Sequence, residues 1–236
     1  MAKVSIRGVI VSNDDKWIYE WFEMDATSPK DVFESIEKAN GEDLEVEINS
    51  GGGDVYAGSE IYTLLKEYNG NVTTKILGVA ASAASVIAMA GDKVLISPTA
   101  QIMIHNVWST ASGDYRDLQH ESDVLKNYNK TIANAYRIKS GLEESKLLEM
   151  MDKETWLNSK QALEYGFVDE VMFENDVSFA ASINQSVLLP KQVINKIRNE
   201  LIKKPTNQED EPQRDKSDFL MAKLNLLKLR KGDIDD

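Results

Sequence analysis

Two serines, Ser82 and Ser85, stand in the segment GVAASAASVIAMAG (residues 78–91), otherwise built almost wholly of glycine, alanine and small or straight apolar residues. A hydroxyl in so water-excluding a run is either bonded back to a backbone carbonyl or presented as a nucleophile at a tight strand-to-helix turn. Three further features favour the second reading for Ser82. The run Ser50, Gly51, Gly52, Gly53 follows an apolar strand, where glycines let the backbone take positive φ and approach a ligand closely. His105 closes the apolar stretch IMIH, and the C-terminal ends of parallel strands are the active edge of an α/β protein. The stretch MMDKETW then offers Asp152 and Glu154 ahead of Trp156, and a carboxylate can orient an imidazole and stabilise its charged form. Hydroxyl, imidazole and carboxylate together are the equipment of acyl transfer. Only one other histidine exists, His120, and its surroundings QHESD hold neither a nucleophile nor a glycine turn.

The elements that must position this set can be read from periodicity. Residues 4–11 (VSIRGVIV) are β-branched and predict a strand, with a second strand over 17–22 pairing across the polar 12–15 turn as a hairpin. Ser28, Pro29 and Asp31 supply an N-cap, a first-turn proline and a capping-box acid for a helix that Gly41 stops. LEVEI (44–48) alternates strictly, so it predicts a strand that ends at Asn49 and enters the glycine turn. A helix over 55–68, a strand over 72–77, and strands over 93–97 and 101–105 separated by Pro98 follow. The small residues 78–81 make the turn before Ser82, and a closely packed helix after it aims its first N–H groups beside the hydroxyl. A long helix over 115–139 carries Leu118, Val124, Leu125, Tyr128, Ile132, Ala135 and Tyr136 as an apolar stripe, closed by Gly141. Shorter helices over 143–151 and 159–165 lead to a last strand over 168–172. Strands alternating with helices predict a parallel sheet with right-handed crossovers.

Past about residue 174 the character changes to a Ser- and Asn-rich stretch and a helical pattern through Val193, Ile194, Ile197 and Leu201. The polar linker PTNQEDEPQRDKS (205–217) and a short amphipathic helix over 219–231 follow. Two parts are expected: a domain over 1–174 and a helical, partly disordered tail over 175–236.

Composition narrows the function classes. With 39 acidic against 27 basic residues the formal net charge is −12, which disfavours a phosphate-neutralising surface, so no nucleic-acid partner is expected. The chain has no cysteine, which removes thiolate catalysis and cysteine-ligated zinc and suits a reducing cytoplasm. No segment offers about 18 uninterrupted apolar residues, and charges at Lys3, Arg7, Asp14 and Asp15 interrupt any signal-peptide core, so no membrane association is expected. Neither a cofactor nor a metal is called for.

Four stretches, INSGGGDVYAG (48–58), GVAASAASVIAMAGD (78–92), IMIHN (102–106) and ETWLNSKQALEYGFVDEV (154–171), resemble the proteolytic subunit of the Clp protease family, in its phage-encoded head-maturation branch. The resemblance implies a crotonase-like α/β fold of repeated β-β-α and β-α units. It also implies a serine endopeptidase with Ser82 as nucleophile, His105 as general base and the backbone N–H groups of Gly53 and Ala83 as oxyanion hole. Ser85 is then a packing residue and Asp169 a structural one. The family's third catalytic position, two before the aromatic, falls on Glu154 where an aspartate is usual, with Asp152 as the alternative. Gly51 stands where the family has proline. The long helix resembles the family's handle helix and implies homo-oligomeric rings, a heptamer or a tetradecamer. The branch implies capsid and scaffold proteins as substrates in a bacterial host, with the tail as a scaffold-like element. Because the chain starts almost directly at a strand, an ATPase unfoldase partner is not expected. The competing readings are a housekeeping subunit working with such an ATPase, a catalytically silent scaffolding homologue, and a crotonase-type acyl-CoA enzyme.

Overall fold

A computed structural model describes residues 1–174. The expected tail, with its helices, linker and scaffold-like role, lies outside the described residues. The described part is a mixed α/β structure around one sheet, whose main path runs β2 (Ala26–Thr27), β1 (Ala2–Ile10), β3 (Leu44–Gly53), β4 (Val72–Ala81), β5 (Lys93–Ile96) and β8 (Glu170–Val171), all parallel. Strand β4 forks: Thr73 to Ile76 pair with β5, whereas Val79 to Ala81 pair with β6 (Gln101–Ile104). A short strand β7 (Thr155–Asn158) then lies antiparallel on β6.

The alternation of LEVEI has a structural consequence. Leu44, Val46 and Ile48 are fully buried, as are Val4 and Ile6 of β1 and Ile76 of β4 on the same side of the sheet. The opposite face carries charges: Lys3 pairs with Glu45 and Glu47 at 3.3 and 2.9 Å, and Lys75 with Glu45 at 2.6 Å. A strand buried on both faces would read as a continuous apolar run, so this sheet is covered by helices over one face in the region of β1, β3 and β4.

The capping-box helix forms as its residues dictate. Helix α2 (Pro29–Ala39) has Ser28 Oγ accepting from the Asp31 N–H while the Asp31 carboxylate accepts from the Ser28 N–H. Asn40, left-handed at φ 48°, rather than Gly41, is its C-cap. Helices α3 (Val55–Lys66), α5 (Tyr115–Ser140), α6 (Glu144–Asp152) and α7 (Ser159–Glu164) stand within a few residues of expectation, and Gly141 closes α5 in the left-handed region.

Three expectations are corrected. Residues 17–22 are not a hairpin strand: 16–21 form a short helix, α1 (Lys16–Trp21), and the end of β1 beside that turn, Val9 and Ile10, is paired in parallel with β2 on one edge and β3 on the other. The glycines at 51–53 are not a turn: β3 runs on through Gly53, paired to β1 past a register shift. Residues 78–81 likewise continue β4, so the chain turns only at Ser82. Strand β7 is an addition, and it makes the sheet mixed at that edge. The stripe on α5 is buried only over its last third, at Ile132, Ala135 and Tyr136. Leu118 and Val124 stay 47% and 38% exposed.

Candidate active site

Three neighbouring strands bring the candidate residues to one edge of the sheet. Ser82 follows the end of β4, His105 the end of β6, and Glu154 immediately precedes β7. The Ser82 N–H donates to the Met103 carbonyl at 3.0 Å, extending the β4–β6 ladder to the serine itself. The chain then reverses abruptly into α4 (Ala83–Ala88) with Ser82 at φ 53°, ψ −126°. A side chain rarely takes that conformation, which costs about 1–3 kcal/mol and persists where the surroundings enforce it. Here the enforcement is visible, since the Ser82 carbonyl accepts from the Ser85 N–H, the Ser85 Oγ–H and the Val86 N–H at 2.9, 2.6 and 3.4 Å.

The turn needs space as well. Gly52, at φ 93°, lies so close that a Cβ there would stand 2.7 Å from Ser82 Cβ and 2.6 Å from the Ala81 carbonyl. Gly53, at φ 152°, is packed on β1 so that a Cβ would meet Ile10 O at 2.1 Å. The glycine run is therefore required by close approach, although it is strand and not turn.

Ser82 Oγ and His105 Nε2 are 2.7 Å apart, the hydroxyl donating when the ring carries its proton on Nδ1. The pair opens into a cleft of ≈ 630 Å³, whose walls include Gly53 and Ala83 and, from α5, Leu125 and Tyr128. Burial raises the Tyr128 phenol above its ordinary value, with Tyr56 and Asp54 adding to the effect, so it stays protonated near neutrality and cannot serve as a base.

The acids are placed differently. The β6–β7 register ends with Ile104 facing Thr155, and His105 and Glu154 are the residues just beyond that last pair, Glu154 in a turn. The Glu154 carboxylate nevertheless accepts from Trp156 Nε1 at 3.2 Å, and its backbone is left-handed at φ 47°. Asp152 accepts from Asn106 Nδ2 at 2.7 Å, while Asn106 Oδ1 is buried without a partner among the described residues. No hydrogen bond from His105 to a carboxylate occurs among the described residues. Asp169 takes the Val94 N–H and Lys139 Nζ, both at 2.6 Å, and so ties β5 to α5. His120 is exposed on α5.

Ser85 is more than filling. It is fully buried and bonds both Ser82 O, at 2.6 Å, and the Tyr136 hydroxyl, at 2.8 Å. The sequence marks Ser85 only as a packing residue, and Tyr136, 51 residues away, reads as one more member of an apolar stripe.

A family model described as Clp protease matches residues 30–175, more than half of the chain. The chain belongs to the Clp protease family. Among similar proteins, the ATP-dependent Clp protease proteolytic subunit of Bacteroides fragilis is 34% identical over 136 residues, covering 57% of this chain and 66% of its own. The subunit of the same name from Deinococcus radiodurans is 32% identical over 133 residues, 56% and 65% of the two chains. That of Chlorella vulgaris is 32% identical over 130 residues, 54% and 65%. The matched stretch thus spans just under two thirds of these relatives. Within this Clp protease chain no group of three or more His, Asp or Glu side chains among the described residues could hold a metal ion. No helix among them is long and apolar enough to cross a membrane.

Proposed function

We propose that this Clp protease family member is a serine endopeptidase that hydrolyses peptide bonds through an acyl-enzyme. The observation that carries the reading is the 2.7 Å contact between Ser82 Oγ and His105 Nε2 at a left-handed strand-to-helix corner facing a cleft. His105 takes the hydroxyl proton as Ser82 attacks the carbonyl, and later gives it to the leaving amine. The Gly53 and Ala83 N–H groups receive the developing oxyanion. Glu154 orients the imidazole through Nδ1–H once its carboxylate leaves the Trp156 indole. The end of the β6–β7 ladder at Ile104 and Thr155, next to both His105 and Glu154, supports Glu154 ahead of Asp152. The test is labelling with a fluorophosphonate and mass mapping of the adduct. Modification of Ser82 in the wild type and none in His105→Ala is expected, and modification elsewhere overturns the assignment.

The finer reading is a prohead protease that trims capsid and scaffold proteins in the cytoplasm of a bacterial host, supported by the likeness of its motifs to the phage-encoded branch. Assembly into homo-oligomeric rings is supported by the exposed apolar residues along the first half of α5, Tyr115, Leu118 and Val124. The similarity to ATP-dependent Clp protease proteolytic subunits favours a second reading, a proteolytic subunit of an ATP-dependent protease. Co-purification with an ATPase unfoldase supports that one, and cleavage of scaffold protein without ATP supports the first.

A further inference from the structure

We propose that Tyr136 and Ser85 are positioning residues of this site, holding the Ser82 carbonyl so that the Ala83 N–H on the other side of the same peptide plane points into the cleft. The inference rests on the peptidase reading and adds to it a buried support for one oxyanion donor.

Proton inventory fixes the direction of the relay. The Ser82 carbonyl can only accept, so the single Ser85 hydroxyl hydrogen goes to it at 2.6 Å. Ser85 Oγ must then be the acceptor in its 2.8 Å contact with Tyr136, whose O–H donates. The sequence is Tyr136 O–H to Ser85 Oγ, and Ser85 O–H to Ser82 O. Both side chains are sealed from water, at 1% and 0% exposure, so neither can exchange its partner for solvent. Burial pushes the Tyr136 phenol far above its ordinary value, with the Ser85 contact opposing this only in part, so the donor is never lost in the working pH range.

The 82–83 peptide is trans, like every peptide bond of the described residues. In a planar trans peptide the C=O and N–H point in opposite directions, so whatever fixes the Ser82 carbonyl fixes the Ala83 N–H. Ser85, fully buried, grips the carbonyl and is backed by Tyr136, whose buried ring and Ala83 both line the cleft that Ser82 faces. A hydrogen bond accepted by a carbonyl also polarises its own amide, which strengthens the N–H as a donor. The relay reaches the corner from α5, whose Leu125 and Tyr128 face the same cleft. The position of that helix therefore bears on the donor directly.

The experiment compares wild type, Tyr136→Phe, Ser85→Ala and the double variant for kcat, KM and the second-order rate of fluorophosphonate acylation at Ser82. Losing an oxyanion donor outright typically costs about 10²–10³-fold, so weakening its support should cost about 3–5-fold in Tyr136→Phe and about tenfold in Ser85→Ala. The loss is expected in kcat and in acylation alike, with KM within about twofold, and the double variant no worse than Ser85→Ala, since the two act in series. Phe167→Leu, which loosens the packing against the Tyr136 ring without touching the relay, should lower the melting temperature and leave the kinetic constants unchanged. Variants as fast as wild type, losses confined to KM, or an equal loss in Phe167→Leu would overturn the positioning role while the peptidase reading stands. A wild type that is never labelled at Ser82 overturns both.

Discussion

The corner at Ser82 and the corner at Glu154 lie on strands β4 and β7, on either side of β6 in one sheet, yet they are held by different means. At Ser82 every constraint is backbone or buried: the ladder bond to Met103, the donors on the Ser82 carbonyl, and Gly52 with no room for a side chain. At Glu154 the backbone is set by a left-handed residue at the head of a four-residue edge strand, and the carboxylate is held by the indole N–H of the half-exposed Trp156. Ser82 and His105, the proposed nucleophile and base, are thus placed by the fold, whereas the Glu154 carboxylate is placed by a side-chain hydrogen bond worth about 1 kcal/mol. The first corner must be broken to change it; the second can be re-aimed.

The sharpest way to break the contrast is Ser82→Ala or His105→Ala, each expected to lower turnover by about 10⁴-fold or more, measured on a chromogenic peptide. Residual activity near wild type would empty the Ser82 corner of its role. Next is Gly52→Ala, whose Cβ has to displace the Ser82 turn. A loss of about 10²-fold in kcat is expected, together with roughly 1–3 kcal/mol in urea unfolding. At the other corner Glu154→Gln should cost about 10-fold to 10²-fold and Asp152→Asn less, and the reverse order would move the orienting role to Asp152. Trp156→Phe removes the competing donor and should raise kcat by about twofold to threefold if the Glu154 carboxylate then turns to His105. A helix end remote from both corners gives the smallest effect. Burial works to raise the Asp31 carboxyl, but the Ser28 and Lys16 hydrogen bonds outweigh it and hold the group below its ordinary value. Its contribution to stability is therefore complete above the unfolded carboxylate range and lost as pH falls through the lower folded value. Urea midpoints measured between pH 6 and pH 3 should fall less steeply in Asp31→Asn.

What could be read from the chain alone follows the same division. Local signals placed α2 through Ser28, Pro29 and Asp31, β3 through the alternation of LEVEI, and α5 through its stripe and Gly141. The serine, the histidine and the glycine run were legible because their neighbours are unusual. The Trp17 and Trp21 segment was misread as a strand because its aromatic and β-branched residues suit one. Helix α1 buries none of its residues, so no apolar face marked its period. Strand β7 owes its existence to β6, more than 50 residues earlier, and four residues carry too little pattern to announce it. The glycines looked like a turn because flexibility and tight packing call for the same residue. Neither the Trp156 hold on Glu154 nor the Tyr136 relay leaves a trace in local sequence, since each is a side-chain contact fixed only after the sheet has closed.

The left-handed φ at Ser82 implies a liability that the chain carries for the chemistry proposed there. Glycine takes that backbone shape without penalty, so Ser82→Gly should unfold at a higher denaturant concentration than the native protein, by about 1 kcal/mol, while being inert. The fold would be sturdier if it did nothing.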